Sequence, residues 1–447
     1  MHKILGEYSS ELLRGVASVA GLRILGVLIG YAFVLMVARV FGATALGQYQ
    51  LTIQIIGTCG LLSALGFNQL ILKYASRLKT SEEGWRALHK LCKQWVSLAI
   101  AAALASSIVL VVFAEDIALQ FFGGPEATQY ILLASILVPF QVLTNLACEL
   151  FRGIGLISLS EYLRSIHVRV INFLVLGLLI VIFGKDVDFV FRSFIVATLS
   201  GFVLVSFFVL KKFQEKYSGG EETSSSFVEM LNLKQSLGQS LPMYQSALLI
   251  YASTQALIYI LAYFESPAEV AKYNVSLQIA NLANFIFASV VTVSAPMYSR
   301  DFSENRAKLE ASIKESSKMI FWASGSASLA IAFLSYPLLL IFGPEFVTAW
   351  PVLVILAAAN FVNASTGASG NLLDMTGGHK VRKNILFVNA VLTIVISFLA
   401  IRQFGVFGVA IGYFFNMCFG NFIGVYVVYR KLGINMIYLP WKRKVSA

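Results

Sequence analysis

A chain of 447 residues that is 58% hydrophobic and 13% charged, with a mean hydropathy of +0.77, excludes the soluble globular classes and leaves a polytopic membrane protein. A net charge of +11 would suggest nucleic acid in a soluble protein, but here the cations must first be divided between loops. The four cysteines, Cys59, Cys92, Cys148 and Cys418, stand singly in or beside apolar segments without C-x-x-C spacing, so no disulfide, metal centre or cofactor is expected.

In chain order, Met1 to Gly15 comes first and reads as an amphipathic interfacial helix. Ile4, Leu5, Tyr8, Leu12 and Leu13 share one face; Lys3, Glu7, Ser10, Glu11 and Arg14 share the other. Residues 17–41 follow as the first span, long enough for a hydrocarbon core about 30 Å thick and too long for a signal-peptide core. It holds two charges, Arg23 and Arg39. Arg39 lies near one end and reaches the headgroups. Arg23 lies about six residues, roughly 9 Å, inside the other end. It either snorkels to the interface or meets an anion or partner in a polar cavity. Gly26 and Gly30 form a G-x-x-x-G step that lets another helix approach.

Eleven more spans are expected, at about 45–67, 92–114, 128–150, 165–184, 189–211, 238–263, 270–297, 317–342, 347–373, 382–401 and 405–429. With the N-terminus inside, 28 of the 34 Lys and Arg residues fall in inside segments and only Lys185, Arg192, Lys272 and Arg402 fall outside. That bias predicts twelve spans with both termini cytoplasmic, and it turns the basic charge toward anionic lipid, leaving no call for nucleic acid. The longest hydrophilic stretch contains GGEETSSS. It divides the chain into an N-terminal bundle (1–212), a cytoplasmic linker (213–236) and a C-terminal bundle (237–447).

The halves repeat. Tyr49-Gln50-Leu51-Thr52-Ile53-Gln54-Ile55 matches Tyr273-Asn274-Val275-Ser276-Leu277-Gln278-Ile279. Phe122-Gly123-Gly124-Pro125-Glu126 matches Phe342-Gly343-Pro344-Glu345, and Arg77 matches Arg300. Six spans per half make the repeats parallel, related by an axis along the membrane normal, and two such bundles with a site between them fit alternating access.

Several stretches resemble a known family. Phe41-Gly42-Ala43-Thr44-Ala45-Leu46-Gly47-Gln48-Tyr49 is similar to the FG-x-x-x-LG-x-Y turn of polysaccharide and O-antigen flippases. Val270-Ala271-Lys272-Tyr273-Asn274, Ala295-Pro296, Phe342-Gly343-Pro344-Glu345-Phe346, Thr376-Gly377-Gly378-His379-Lys380 and Phe404-Gly405-Val406-Phe407-Gly408-Val409-Ala410 also have counterparts there. Val270-Ala271-Lys272 is a departure, standing where the family often has a Val-Gly pair, and the lysine adds charge near the outer face. The resemblance is to the multidrug/oligosaccharidyl-lipid/polysaccharide exporter superfamily. It implies an all-α fold of twelve transmembrane helices in two six-helix bundles related by a pseudo-two-fold. It also implies a bacterial inner-membrane flippase for an undecaprenyl-pyrophosphate-linked oligosaccharide, working beside a polysaccharide polymerase and a chain-length regulator, with H+ or Na+ as counter-ion.

A lipid-linked sugar brings an anionic diphosphate and a polar glycan. Arg23 is the first candidate for the diphosphate because a guanidinium holds phosphate bidentately, and Lys272 is a second, from the outer side. Gln50 and Gln54 on the second span, and Asn274, Gln278, Asn281 and Asn284 on the eighth, are candidates for sugar hydroxyls or for hydrogen bonds between helices. Gln141, Asn145, Glu149 and Arg152 share a face of the fourth span; Asn360, Asn363, Asn371 and Asp374 lie on the tenth. Glu149 and Asp374 are either ion-coupling acids or members of local ion pairs. His167 and Arg169 open the fifth span, at headgroup level. No nucleophile–base pair, metal spacing or phosphate-cradling loop is present, and no long outer loop carries catalytic residues, so an enzyme is disfavoured. A multidrug cation antiporter of the same superfamily is the alternative, and it should place acids, not Arg23, deep in its cavity.

Overall fold

The computed structural model describes residues 2–216 and 233–438, with side chains from residue 21 onward apart from a few positions. The faces assigned to Met1–Gly15, and residues 217–232 of the expected linker, lie outside the described residues. The fold is all-α, with no strand among the described residues, as expected of a polytopic membrane protein. Among the described residues, ten helices are long and apolar enough to cross a membrane. Large apolar side chains point outward from them, such as Val181 and Phe183, and Phe333 is 87% exposed. In lipid, that outward face is the favoured one.

Two differences reconcile ten long helices with twelve expected spans. The first is α1 (His2–Ala64), which joins the first two spans in a single helical run. Only Gly42 leaves helical geometry, at φ 84 and ψ 178, a backbone open to glycine alone. The Phe41-Gly42 turn is thus a kink between two spans and not a loop. The second is the ninth span, expected over 317–342, which is broken. These differences make the ten helices consistent with twelve segments.

Unit 1 (residues 1–245) continues with α2 (Phe67–Leu78), α3 (Glu82–Val112), α4 (Ala114–Phe121), α5 (Thr128–Ile154), α6 (Ile157–Glu161), α7 (Val168–Phe183) and α8 (Asp188–Lys216). It ends within α9 (Leu233–Phe264). The Tyr244 hydroxyl donates to the Leu62 carbonyl at 3.2 Å, and Tyr74 donates to Gln239 at 2.9 Å, so the start of α9 is tied to α1 and α2. Buried Trp95 stacks on Phe67, and Cys148, Phe151, Leu163 and Val205 form a second apolar cluster.

Unit 2 (residues 246–447) holds the rest of α9, then α10 (Pro267–Glu304) and α11 (Arg306–Ile320). A π-helical turn (Phe321–Gly325) leads to α12 (Ser326–Phe333) and α13 (Ser335–Leu340); α11 through α13 are the broken ninth span. Then come α14 (Trp350–Thr366), α15 (Ser369–Met375), α16 (His379–Phe404) and α17 (Val406–Leu432). The tenth span is also broken. Where one helix is expected over 347–373, α14 stops at Gly367 (φ 68, ψ −169) and α15 restarts two residues later. Tyr298, Leu309, Ile313, Ile320, Leu372 and Val428 fill the core. The repeated F-G-P-E stretches fold alike: Pro125–Ala127 and Pro344–Ala349 are both 3-10 turns that lead directly into α5 and α14.

Candidate functional site

The arginines of unit 1 are gathered by a reversal at the end of α5. Gly155 sits at φ 99; its N–H donates to the Arg152 carbonyl at 3.2 Å, and the Leu156 N–H donates to the Phe151 carbonyl at 2.8 Å. This pair of bonds closes a helix on a left-handed glycine and sends the chain back along it. The returning segment is α6, then a π-helical turn over Tyr162–His167, then α7. A π turn carries one residue more than an α turn and resets which side chains face the neighbour; such turns recur at functional sites. The end of α5 thereby meets α6 and the π turn. Arg164 Nη2 donates to Glu149 Oε1 at 2.7 Å, and Arg152 Nη1 lies 3.5 Å from Glu149 Oε2.

Arg23 on α1 joins the same region. Its Nε and Nη2 donate to the two carboxylate oxygens of Glu161 at 3.0 and 2.6 Å, a bidentate fork. Glu161 is buried while the Arg23 side chain is half exposed. One turn along α1, Gly26 and Gly30 admit a close neighbour, as their spacing predicts. A Cβ at Gly26 would lie 2.8 Å from the Ser165 carbonyl oxygen and 3.3 Å from Arg169 Nη1; one at Gly30 would lie 3.4 Å from Arg169 Nε. The G-x-x-x-G step is therefore the seat of the Arg169 side chain. Arg169 makes no hydrogen bond and no ion pair among the described residues. Among the described residues, Arg23, Arg152 and Arg164 pair with Glu149 and Glu161 while Arg169 lies beside them against α1, so these four arginines and two glutamates sum to +2, with Lys79 close to Gly155 at the end of α5.

The amide candidates separate into two kinds. Both amide atoms of Gln50 are buried without a hydrogen-bond partner, while Gln54 is half-buried. Asn274 is buried and Gln278 half-buried on α10. Further along α10 the amides pair with α14. Asn284 Nδ2 donates to the carbonyl oxygens of Asn281 and Asn360, each at 3.0 Å; Asn363 Nδ2 donates to Asn284 at 3.2 Å; Tyr413 donates to Asn360 at 3.3 Å. The remaining charged candidates are all in ion pairs. Lys272 is bonded to Glu269 at 2.7 Å, and Arg382 donates to Asp374. No group of metal-ligating residues occurs among the described residues.

Of the two fates that its position allows, Arg23 shows a partner, Glu161, which the sequence reading does not single out. It lies in the short segment between the fourth and fifth spans, which reads as a charged loop. Its signal is that it is an acid among Arg152, Arg164 and Arg169. Arg169, read as a headgroup contact, lies instead against α1.

The chain shares its fold with transporters of one superfamily. A structure titled "Lipid II flippase MurJ, inward closed conformation" matches with a TM-score of 0.73 at 14% identity, over 92% of this chain and 87% of that one. An inward-facing multidrug resistance MATE transporter of the MOP superfamily matches with a TM-score of 0.64 at 13% identity, over 93% and 98%. MATE in complex with MaL6 matches at 0.62 and 14% identity, over 94% and 96%. A search of curated proteins finds no match. The proteins sharing the fold are named as a flippase and as transporters. Residues 12–302, well over half the chain, match the family described as polysaccharide biosynthesis protein, and the chain belongs to that family.

Proposed function

We propose that this protein carries an undecaprenyl-pyrophosphate-linked glycan repeat unit, of O-antigen or another surface polysaccharide, across the bacterial inner membrane. Transport runs from the cytoplasmic to the periplasmic leaflet by alternating access, with both termini cytoplasmic. The observation that carries the reading is the arginine cluster, where, among the described residues, Arg169 meets no carboxylate and Arg23 is held by Glu161. A diphosphate needs such compensation in hydrocarbon. Its oxygens accept the fork that Arg23 now gives to Glu161, so arrival of the substrate exchanges one anion for another without stranding the guanidinium. The amides of Gln50, Gln54, Asn274, Gln278 and Asn281 supply hydrogen bonds to the glycan, and Lys272 assists at the outer side once it leaves Glu269. Glu149 and Asp374 are the acids for a coupling H+ or Na+, and each must first part from its arginine. A polymerase and a chain-length regulator would act on the delivered unit.

The fold is also that of multidrug carriers, which keeps a cation antiporter as the alternative. The test is Arg23→Ala and Arg169→Ala in a strain lacking its own flippase, reading surface glycan normalised to protein in the membrane. Each alanine variant is expected to lose most export. Arg23→Lys is expected to keep part of it, since charge survives but the bidentate fork does not. Full export by both alanine variants would overturn the diphosphate site. Efflux of a cationic dye with no glycan export by the wild type would favour the alternative.

A further inference from the structure

Unit 2 contains a cavity of about 260 Å³, separate from the arginine cluster. It forms where α14 stops and α15 restarts, and α16 and α17 close its other sides. Non-helical backbone inside an apolar span is tolerated where it lines a polar cavity, which accounts for the break at Gly367.

The wall carries unused hydrogen-bonding groups. Asn389 is 5% exposed; its Nδ2 donates to the Asn416 carbonyl at 3.1 Å, and its Oδ1 has no partner. Among the described residues, the Ser369 hydroxyl and the Asn371 amide also line the cavity and make no hydrogen bond. The one charged residue among the described residues of the wall is Arg382, whose charge is met by Asp374 and whose Nη1 also donates to the Gly370 carbonyl. No carboxylate is among the described lining residues, and Phe287 and Met417 supply apolar surface.

These groups select a ligand class. An anion would want a free cation, and a metal ion would want a carboxylate; neither is in the wall. A wholly apolar molecule would leave the amides and hydroxyl unpaired. A neutral polyhydroxylated ring fits: each hydroxyl donates and accepts, and the C–H face of the ring lies on apolar side chains. The volume is below the roughly 300–1,000 Å³ of sites for drug-sized ligands, so it suits one ring and not an oligosaccharide.

We propose that this cavity is a subsite for one neutral sugar ring of the transported glycan. The inference rests on the flippase reading. The test uses the full-length protein in lipid nanodiscs and saturation-transfer NMR, with methyl glycosides of a neutral hexose, an N-acetylhexosamine and a hexuronic acid as probes. At least one neutral glycoside is expected to bind and the uronide is not. Asn371→Ala, which breaks no existing hydrogen bond, is expected to weaken binding by at least about fivefold, the effect of one lost hydrogen bond. Asn389→Leu is expected to abolish it. Absence of binding by every neutral glycoside would overturn the proposal. So would undiminished binding by Asn371→Ala, or a sodium-23 signal sensitive to Asn389→Leu with no sugar bound. A parallel assay of carrier-linked glycan flipping separates the two claims. Flipping without glycoside binding refutes the subsite alone; glycoside binding without flipping refutes the flippase reading.

Discussion

A cation inside an apolar run needs an anion, and Arg23 has Glu161, brought to it by the reversal at Gly155 and the π turn that follows. If Glu161 holds the fork in place of the diphosphate, Glu161→Gln should raise the affinity for inorganic pyrophosphate by about fivefold, the scale of one exposed ion pair, and slow turnover. Calorimetric titration in detergent reads the first effect; unchanged or weaker binding would show that Glu161 only braces the arginine. The repeat-matched tyrosines make a second contrast. Asn172 Nδ2 donates to the Tyr49 hydroxyl at 2.8 Å and Ser193 donates to Asn172 at 2.7 Å, whereas the buried Tyr273 hydroxyl has no partner. Tyr49→Phe should therefore destabilise by about 1–3 kcal/mol, while Tyr273→Phe is neutral or stabilising. Thermal unfolding of both in one detergent checks this, and equal shifts would contradict it.

At the scale of elements, hydropathy located the spans but not the breaks within them. The apolar pattern runs through Gly367 and through Phe321–Gly325 unchanged, since backbone bonding, not side-chain polarity, is interrupted there. The glycine stretches were better guides. Gly405 turns at φ 55, and Gly408 packs α17 directly on the Ala400 backbone of α16. A Gly408→Ala substitution should cost about 1–3 kcal/mol through overpacking. The same unfolding measurement tests this, and a wild-type transition would mean that the two helices can part freely. Glu265, between α9 and α10, has its carboxyl pushed above the usual range by burial and then by the charge of Glu269. A raised acid favours the folded state while protonated, so its contribution is lost as pH rises past its folded pKa. Glu265→Gln should flatten that loss with rising pH; an unchanged pH profile of unfolding would refute it.

For the whole molecule, hydropathy and the 28-to-4 division of cations mark a multi-pass chain in the sequence, and the long apolar helices and the shared all-α fold agree with that. What the amino acids alone could not separate is a carrier of lipid-linked glycan from a carrier of cationic drugs, because both use this fold. Which charges are paired is a property of the folded chain: among the described residues Arg169 meets no carboxylate, while Glu149 and Asp374 are each held by an arginine. The most direct test is flipping of an undecaprenyl-pyrophosphate-linked glycan in proteoliposomes by the wild type and by the Arg23→Ala/Arg169→Ala double variant at equal incorporation. The account predicts movement of the carrier by the wild type and loss of most of it in the double variant. Equal movement by the two proteins, or none by the wild type, would contradict it.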